Sequence, residues 1–416
     1  MQSSSQLVTQ AAQAAAAAAP SLASASDEKI DEVLQGVAAL ATARQSTIVA
    51  ANQEDVAAAR RRLPLGTLDR LRLDERRLEL MAQEIGSLAE LPHVGRAAQR
   101  YRSDRTGEDL EITERRIPIG VVGAIYEARG AVTVDIASQL IKSRNAGVLR
   151  SGSAVLGTAS TLMDTVISPA LDQAGMPSEA IQLLRSDDHN SAEALVTIPQ
   201  LVPVVVIRGS GPTTAKLSRL AAAHGVHALA HAEGGGVMYV HPSADRDLAL
   251  GLIEKSLDRL GVCNRLNLLL LDARIWDEFL PSAQKKLDEL GIAASLPPHD
   301  HPLGHEWASD PDRQATVTIA AAEGPAAAAA LANAETPGIA ACVAAEDAAV
   351  AQEFLDLFSG TGAFWNVPTR LLDGFKLTGA PETGINVARA VAPRGPVTYR
   401  DLYLRQYLVT RGEQNL

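Results

Sequence analysis

Cys263 sits in Gly261-Val262-Cys263-Asn264, directly ahead of the apolar run Leu266–Leu271. A cysteine at a loop-to-strand junction can face a substrate, and its thiol becomes a useful nucleophile once its environment favours thiolate. A lone cysteine also serves as a small core residue, so both readings stand open. The other cysteine, Cys342, is flanked by Ala341 and Val343 and reads as core. Gly209-Ser210-Gly211 follows the strand-like Leu201–Arg208 and opens a helix at Pro212-Thr213-Thr214. Backbone N–H groups at such a start attract an anion such as a cofactor phosphate. The spacing is not the six-residue dinucleotide pattern, and glycines also make ordinary turns. Gly234-Gly235-Gly236 allows close approach of a ligand or of a neighbouring strand. His299, Asp300, His301 and His305 fall in a Pro-rich loop without nearby cysteines, and no metal site is expected there.

The elements that must position these groups change texture along the chain. From Gln6 to about Leu91 the sequence reads as helices, with Ile30, Val33, Leu34, Val37 and Leu40 on one stripe and Asp27 as N-cap. Leu110–Ile117 alternates like a half-exposed strand, and Ile119–Ile125 is a continuous apolar run. Helical stretches are expected at Val132–Lys142, Ser153–Ala174 and Thr213–His224, alternating with strands at Gly147–Leu149, Leu201–Arg208 and Gly236–Val240. A second such series holds a strand at Leu266–Leu271 and helices at Asp245–Leu260, Trp276–Leu290, Ala320–Asn333 and Ala345–Phe358. Alternation of this kind implies βαβ units with helices on both faces of parallel sheets.

Composition narrows the partners. The 416 residues suffice for two or three domains. A formal charge of -11 and 3% aromatics argue against nucleic acid, whose recognition needs cations and stacking rings. Two cysteines suggest a reducing compartment, no basic residue precedes Lys29 as a secretory signal would require, and no apolar run reaches bilayer length. A cytoplasmic protein with no membrane partner is expected.

Read together, several blocks resemble the γ-glutamyl phosphate reductase (glutamate-5-semialdehyde dehydrogenase) family of the aldehyde dehydrogenase superfamily, over essentially the whole chain. They are Leu68–Asp74, Arg116–Arg129 with Tyr126-Glu127-Ala128-Arg129, Val132–Asp135, Val204–Gly211, Val262-Cys263-Asn264, and Asn366, Thr369-Arg370, Asp373-Gly374, Glu382, Gly384-Ile385 and Arg394–Pro396. The resemblance implies an α/β fold with a Rossmann-like cofactor domain, an α/β catalytic domain and a small β oligomerisation element. Residues 1–240 would hold the helices and cofactor domain, with an oligomerisation hairpin at 100–116. Residues 241–396 would form the catalytic domain and its return, and 397–416 an oligomerisation strand and tail.

The implied reaction is NADPH-dependent reduction of γ-glutamyl phosphate to glutamate 5-semialdehyde through a Cys263 thioester, as in proline biosynthesis, with NAD left open. Cys263 and Asn264 would be catalytic. Tyr126, Glu127, Arg150, Gly209, Ser210, Gly211 and Gly234 would meet the cofactor, and Arg129, Asn366, Thr369 and Arg370 the small-molecule acyl phosphate. A homodimer or homotetramer is expected, because an unpaired strand at Leu402–Val409 would invite aggregation. The chain departs from the family pattern at Gly130-Ala131, Lys142–Asn145, Gly235–Val237, Asp258–Gly261, Arg265–Asn267 and Ile339–Ala341. These changes keep two alternatives open: a paralogue reducing another acyl phosphate or thioester, and a catalytically silent relative kept for binding or assembly.

Overall fold

The structure is a computed structural model that describes residues 3–63, 65–95, 97–103, 109–127, 129–209, 211–231, 234–310, 312–388 and 393–411. The chain begins with helices α1 (Ser4–Ser24), α2 (Asp27–Ala43), α3 (Gln45–Ala59), α4 (Leu65–Leu71) and α5 (Glu75–Glu90). The alanine tract lies within α1, where Val8, Ala12, Ala15, Ala18 and Leu22 form a buried stripe at helical spacing. Ser26, one residue earlier than expected, caps α2 by accepting from the Lys29 N–H at 3.2 Å. Buried Asn52 on α3 fixes the connection after α4, donating to Leu71 O at 3.0 Å and accepting from Leu73 N at 2.7 Å.

Strands β1 (Ala97–Ser103) and β2 (Leu110–Pro118) then lead into β3 (Val121–Tyr126), α6 (Val132–Lys142), β4 (Ala146–Ser151), β5 (Ile181–Leu183), β6 (Val204–Arg208) and β7 (His227–His231). The last five strands form a parallel sheet in the order β5-β4-β3-β6-β7. Connections from β3 run first to one side and later to the other, so the carboxyl ends of β3 and β6 flank a topological switch point, where open α/β sheets bind ligands. The helical stretch Ser153–Gln173 is long and apolar enough to cross a membrane, but half of it is buried inside the protein. It packs against α2, α3 and α6.

A second sheet contains β8 (Gly236–Val240), β9 (Leu266–Asp272), β10 (Ala293–Ser295), β11 (Thr316–Ala322), β12 (Ala340–Ala344) and β13 (Gly362–Trp365). All pairings are parallel, in the order β10-β11-β9-β8-β12-β13. The ribbon β14 (Gly384–Asn386) and β15 (Gly395–Val397) returns the chain to β7 and β6 of the first sheet. Finally β16 (Tyr403–Arg411) pairs antiparallel with β2 from Tyr403↔Pro118 to Arg411↔Leu110, and β1 pairs with β2's other edge.

Several expectations are corrected. Gly236–Val240 belongs to the second sheet, so the domain boundary precedes residue 240. Thr316–Ala322 is a strand whose end overlaps the expected helix, which begins only at Gly324. The strands β7, β12 and β13 were not anticipated. In β12 all five residues are buried and four are small, so no alternation marks it as a strand. The C-terminal strand is already paired with β2 of its own chain rather than left open on both sides.

Candidate active site

The turn bearing Cys263 is held by backbone contacts before any side chain acts. Gly235 N donates to Cys263 O at 2.7 Å, and Gly236 N donates to Arg265 O at 2.6 Å. A Cβ on Gly234 would lie 2.6 Å from the Cα and Cβ of Cys263, and Gly235 has φ +117°. The glycine run is thus explained by close packing on the nucleophile's turn. Behind the turn, Thr369 Oγ1 donates to Asn264 O at 2.8 Å and Asn264 Nδ2 to Leu372 O at 2.8 Å. Arg370 bonds the Asn264 side chain and, at 2.6 Å, Asp258. Asn366 (φ +52°) bonds Ala345 N at 3.1 Å and Ala345 O at 2.9 Å. Asn264, Asn366, Thr369 and Arg370, expected as catalytic or substrate contacts, do not line either cavity among the described residues; Asn264, Asn366 and Thr369 hold backbone groups, and Arg370 holds the Asn264 and Asp258 side chains.

Two departures from the family pattern are also braces. Buried Arg265 donates to Leu266 O at 2.9 Å, to Gln314 O at 2.6 Å and to Thr316 O. Asn267 donates to His305 O at 2.6 Å and accepts from Trp307 N at 3.0 Å. Together they hold residues 305–307 and 314–316, so that Glu306, Ala308 and Ser309 line the same cavity as the cysteine. Gly130 is likewise accounted for, because a Cβ there would lie 2.7 Å from Leu73 Cβ.

Cys263 opens into a narrow cavity of about 60 Å³ whose charged lining is Arg70, Glu127, Arg129, Arg208 and Glu306. Burial pushes the Cys263 thiol up, and Arg129 and Arg208 pull against that rise. Burial and the neighbouring Arg208 push the Arg129 guanidinium down. Arg208 is anchored by donating to Thr383 O at 3.2 Å, with Glu382 at 3.8 Å. Sequence reasoning named Arg129 but gave no role to Arg70, Arg208 or Glu306. Arg208 was findable, because it ends the strand that feeds Gly209 at the switch point.

Arg70, Arg129 and Arg208 also line a wider cleft of about 250 Å³ behind the cysteine, together with Arg72, Glu84, Asp135, Arg259 and Glu382. Desolvation, then Glu84, raises Asp135 to about 8, and desolvation, then Asp373 and Glu382, raises Glu84 to about 7. Glu382 is also pushed up by burial, against the pull of Arg208.

On the other side of Cys263 lies the switch-point crevice. Glu127 N donates to Arg208 O at 3.1 Å, and a Cβ on Gly209 would meet Glu127 Oε1 at 3.1 Å. Gly211 begins a helix that runs to His224, and Gly211 and Gly234 line a cleft of about 720 Å³ beside it. Among the described residues, Arg150 near the end of β4 makes only long contacts, 3.4 Å each to Ser191 Oγ and Asp188 O, and the next residue's hydroxyl, Ser151 Oγ, is buried without a hydrogen-bond partner. Those polar groups suit a dinucleotide. Tyr126 is wholly buried and bonds Thr133 at 2.8 Å, so its hydroxyl is directed into the protein rather than the crevice. Ser210 lies outside the described residues. Of the loop histidines, His301 bonds Ser295 at 2.7 Å and His305 bonds Asp310 at 2.9 Å, and both rings pack edge-on against Trp307.

A Rossmann-like sheet and a second parallel sheet that meet at a cysteine beside the switch point define an enzyme of the aldehyde dehydrogenase type. The family model described as "Aldehyde dehydrogenase family" matches residues 1–302. The chain is 34% identical over 402 residues to a γ-glutamyl phosphate reductase from Chloroflexus aggregans, covering 92% of this chain and 93% of that protein. It is 31% identical over 419 residues to the protein of that name from Thermobifida fusca, covering 97% of each. The crystal structure of γ-glutamyl phosphate reductase from Thermotoga maritima superposes with a TM-score of 0.86 at 24% identity, covering 98% of this chain and 99% of that one. The chain therefore belongs to the aldehyde dehydrogenase family, in its γ-glutamyl phosphate reductase branch.

Proposed function

We propose that this enzyme reduces γ-glutamyl phosphate to glutamate 5-semialdehyde with NADPH through a thioester on Cys263. The observation that carries the reading is Cys263 in a cavity walled by Arg70, Arg129 and Arg208, between the switch-point crevice and the charged cleft. The Cys263 thiolate attacks the acyl carbon, the carbon–oxygen bond to phosphate breaks, and phosphate leaves. The three arginines suit the phosphate's charge, and Arg129 and Arg208 favour the thiolate over the thiol. A nicotinamide held in the crevice beside Gly211 would supply the hydride that reduces the thioester. The resulting thiohemiacetal then breaks its carbon–sulfur bond, returning the thiol and releasing the aldehyde.

The fold family implies a nicotinamide cofactor, and the crevice between β3 and β6 with the helix start at Gly211 suits its pyrophosphate. Arg150, near the end of the second strand of that sheet, favours the 2′-phosphate of NADP(H).

The test runs the reaction backwards: glutamate semialdehyde, phosphate and NADP, with wild type and Cys263→Ala. Phosphate-dependent reduction of NADP by the wild type alone is the expected result. Activity surviving in Cys263→Ala would remove the thioester, and an inactive wild type would remove the substrate.

A further inference from the structure

A cleft of about 490 Å³ lies between α1 and the paired strands β2 and β16, a volume within the range of about 300–1,000 Å³ typical of small-molecule sites. It shares no lining residue with the cysteine cavity, the charged cleft or the crevice beside Gly211. Helix α1 gives it an apolar wall of Ala16, Ala19, Pro20 and Ala23. The rest of its lining includes Arg115, Arg116 and Arg144 and, among the described residues, no acid. The register Tyr403↔Pro118 and Arg405↔Arg116 puts Arg116 on the same face of the sheet as Tyr403. Arg115 turns to the other face and donates to Gln406 Oε1 at 2.6 Å.

Arg144 holds its place against backbone preference. Its φ of +59° belongs to the region that favours glycine, and it falls within the departure Lys142–Asn145. Its guanidinium is buried and donates to Ala25 O at 3.2 Å and to Asp27. Asp27 thereby answers the Arg144 charge from outside the cleft. Arg116, by contrast, is exposed and makes no hydrogen bond or ion pair with a described residue. Glu114, two residues back on its face, pairs instead with Arg405 at 3.9 Å. The Tyr403 hydroxyl is buried with no well-formed hydrogen bond, and the neighbouring Arg144 pulls against the rise in its pKa that burial imposes.

We propose that this cleft binds a small organic carboxylate with an apolar chain, whose head meets Arg116, Arg144 and Tyr403 and whose chain lies along α1. One cation without a partner matches a monoanion better than a phosphate ester, which carries about −1.5 to −2 charges. A carboxylate accepts from guanidinium groups and gives the Tyr403 hydroxyl an acceptor. An inorganic anion would leave the alanine wall in water, and an uncharged chain would desolvate Arg116 without pairing it.

Isothermal titration calorimetry with octanoate tests the site. Wild type is expected to bind octanoate saturably, and octan-1-ol and acetate more weakly by about tenfold or more. Arg116→Gln, at an exposed side chain without a partner, is expected to raise the octanoate Kd about tenfold or more and to leave Tm unchanged. Arg144→Gly, which the backbone at that position suits, is expected to raise Kd likewise. Should that variant fail to fold, Arg116→Gln decides alone. No saturable binding by wild type overturns the proposal, and so does an unaltered Kd in Arg116→Gln, as octanoate seated at Cys263 would give. Octan-1-ol binding as tightly as octanoate also overturns it, reducing the cleft to an apolar surface. A wild type that takes up no octanoate, but whose mass by light scattering falls in Arg116→Gln, would mean that a second copy of the chain covers the cleft, and overturns it too.

Discussion

At Cys263 the balance of burial against two guanidinium groups sets the nucleophile's readiness. Replacing Arg129 by Gln removes one cation that favours thiolate, so the pH at which iodoacetamide labels Cys263 half-maximally should move upward. An unshifted labelling profile would show that Arg129 does not act on the thiol. Gly234→Ala places a methyl 2.6 Å from Cys263 atoms, and the turn must move to accept it. A displacement on the ångström scale costs about 100-fold in rate, so kcat should fall by that order with little change in the circular dichroism spectrum. The acids of the cleft give a pH dependence of stability. Asp135 and Glu84 ionise near pH ~4 in an unfolded chain but hold their protons to about 8 and about 7 when folded. Their contribution is thus fully present below the unfolded values and is lost as pH rises through the folded ones. The groups facing Asp135 (Glu84, Glu382, Arg208 and Arg129) stay in place in Asp135→Asn. That variant should lose less Tm than wild type between about pH 5 and about pH 8, and parallel curves would contradict the assignment. The sequence made Cys263 legible through its neighbours and its place before an apolar run. It could not separate Asn366 and Thr369, which hold backbone, or Arg370, which holds the Asn264 and Asp258 side chains, from Arg70 and Arg208, which face the cavity. A matching motif records that a residue type is required, not which way its side chain turns.

Among the elements, long apolar strands and striped helices were readable, while short alanine-rich ones were not. Ala340–Ala344 is sandwiched between β8 and β13 and covered on both faces, so burial rather than propensity makes it a strand. The return ribbon β14–β15 was foreseen only as a region, because contacts with β7 define it. The loop over the cysteine depends on Trp307, fully buried, with Nε1 donating to Thr318 Oγ1 at 2.9 Å. Trp307→Ala should cost about 3–5 kcal/mol through the cavity it opens, read as a lower urea midpoint. A loss below about 1 kcal/mol would mean the loop relaxes into the space.

Across the whole molecule, the three-stranded sheet exposes Tyr101, Tyr407 and Val409 on one face and Leu404 on the other, each more than two-fifths accessible. Its outer strands β1 and β16 have no further partner strand among the described residues. A face of this kind favours self-association. Tyr407→Lys combined with Val409→Glu should lower the mass seen by light scattering, and an unchanged mass would take this face out of any assembly. The cleft behind Cys263 is gathered from a different kind of unit. Its walls come from residues 70–84, 129–135, 208, 259 and 373–382, brought together from the helical N-terminus, the first sheet with its helix α6, and segments outside the strands of the second sheet. No single loop carries it, so its pattern of charges cannot be transplanted by swapping one fragment between relatives. A library that varies one segment at a time would explore only one wall, and a new pattern would require changes chosen jointly at positions that are distant in the gene.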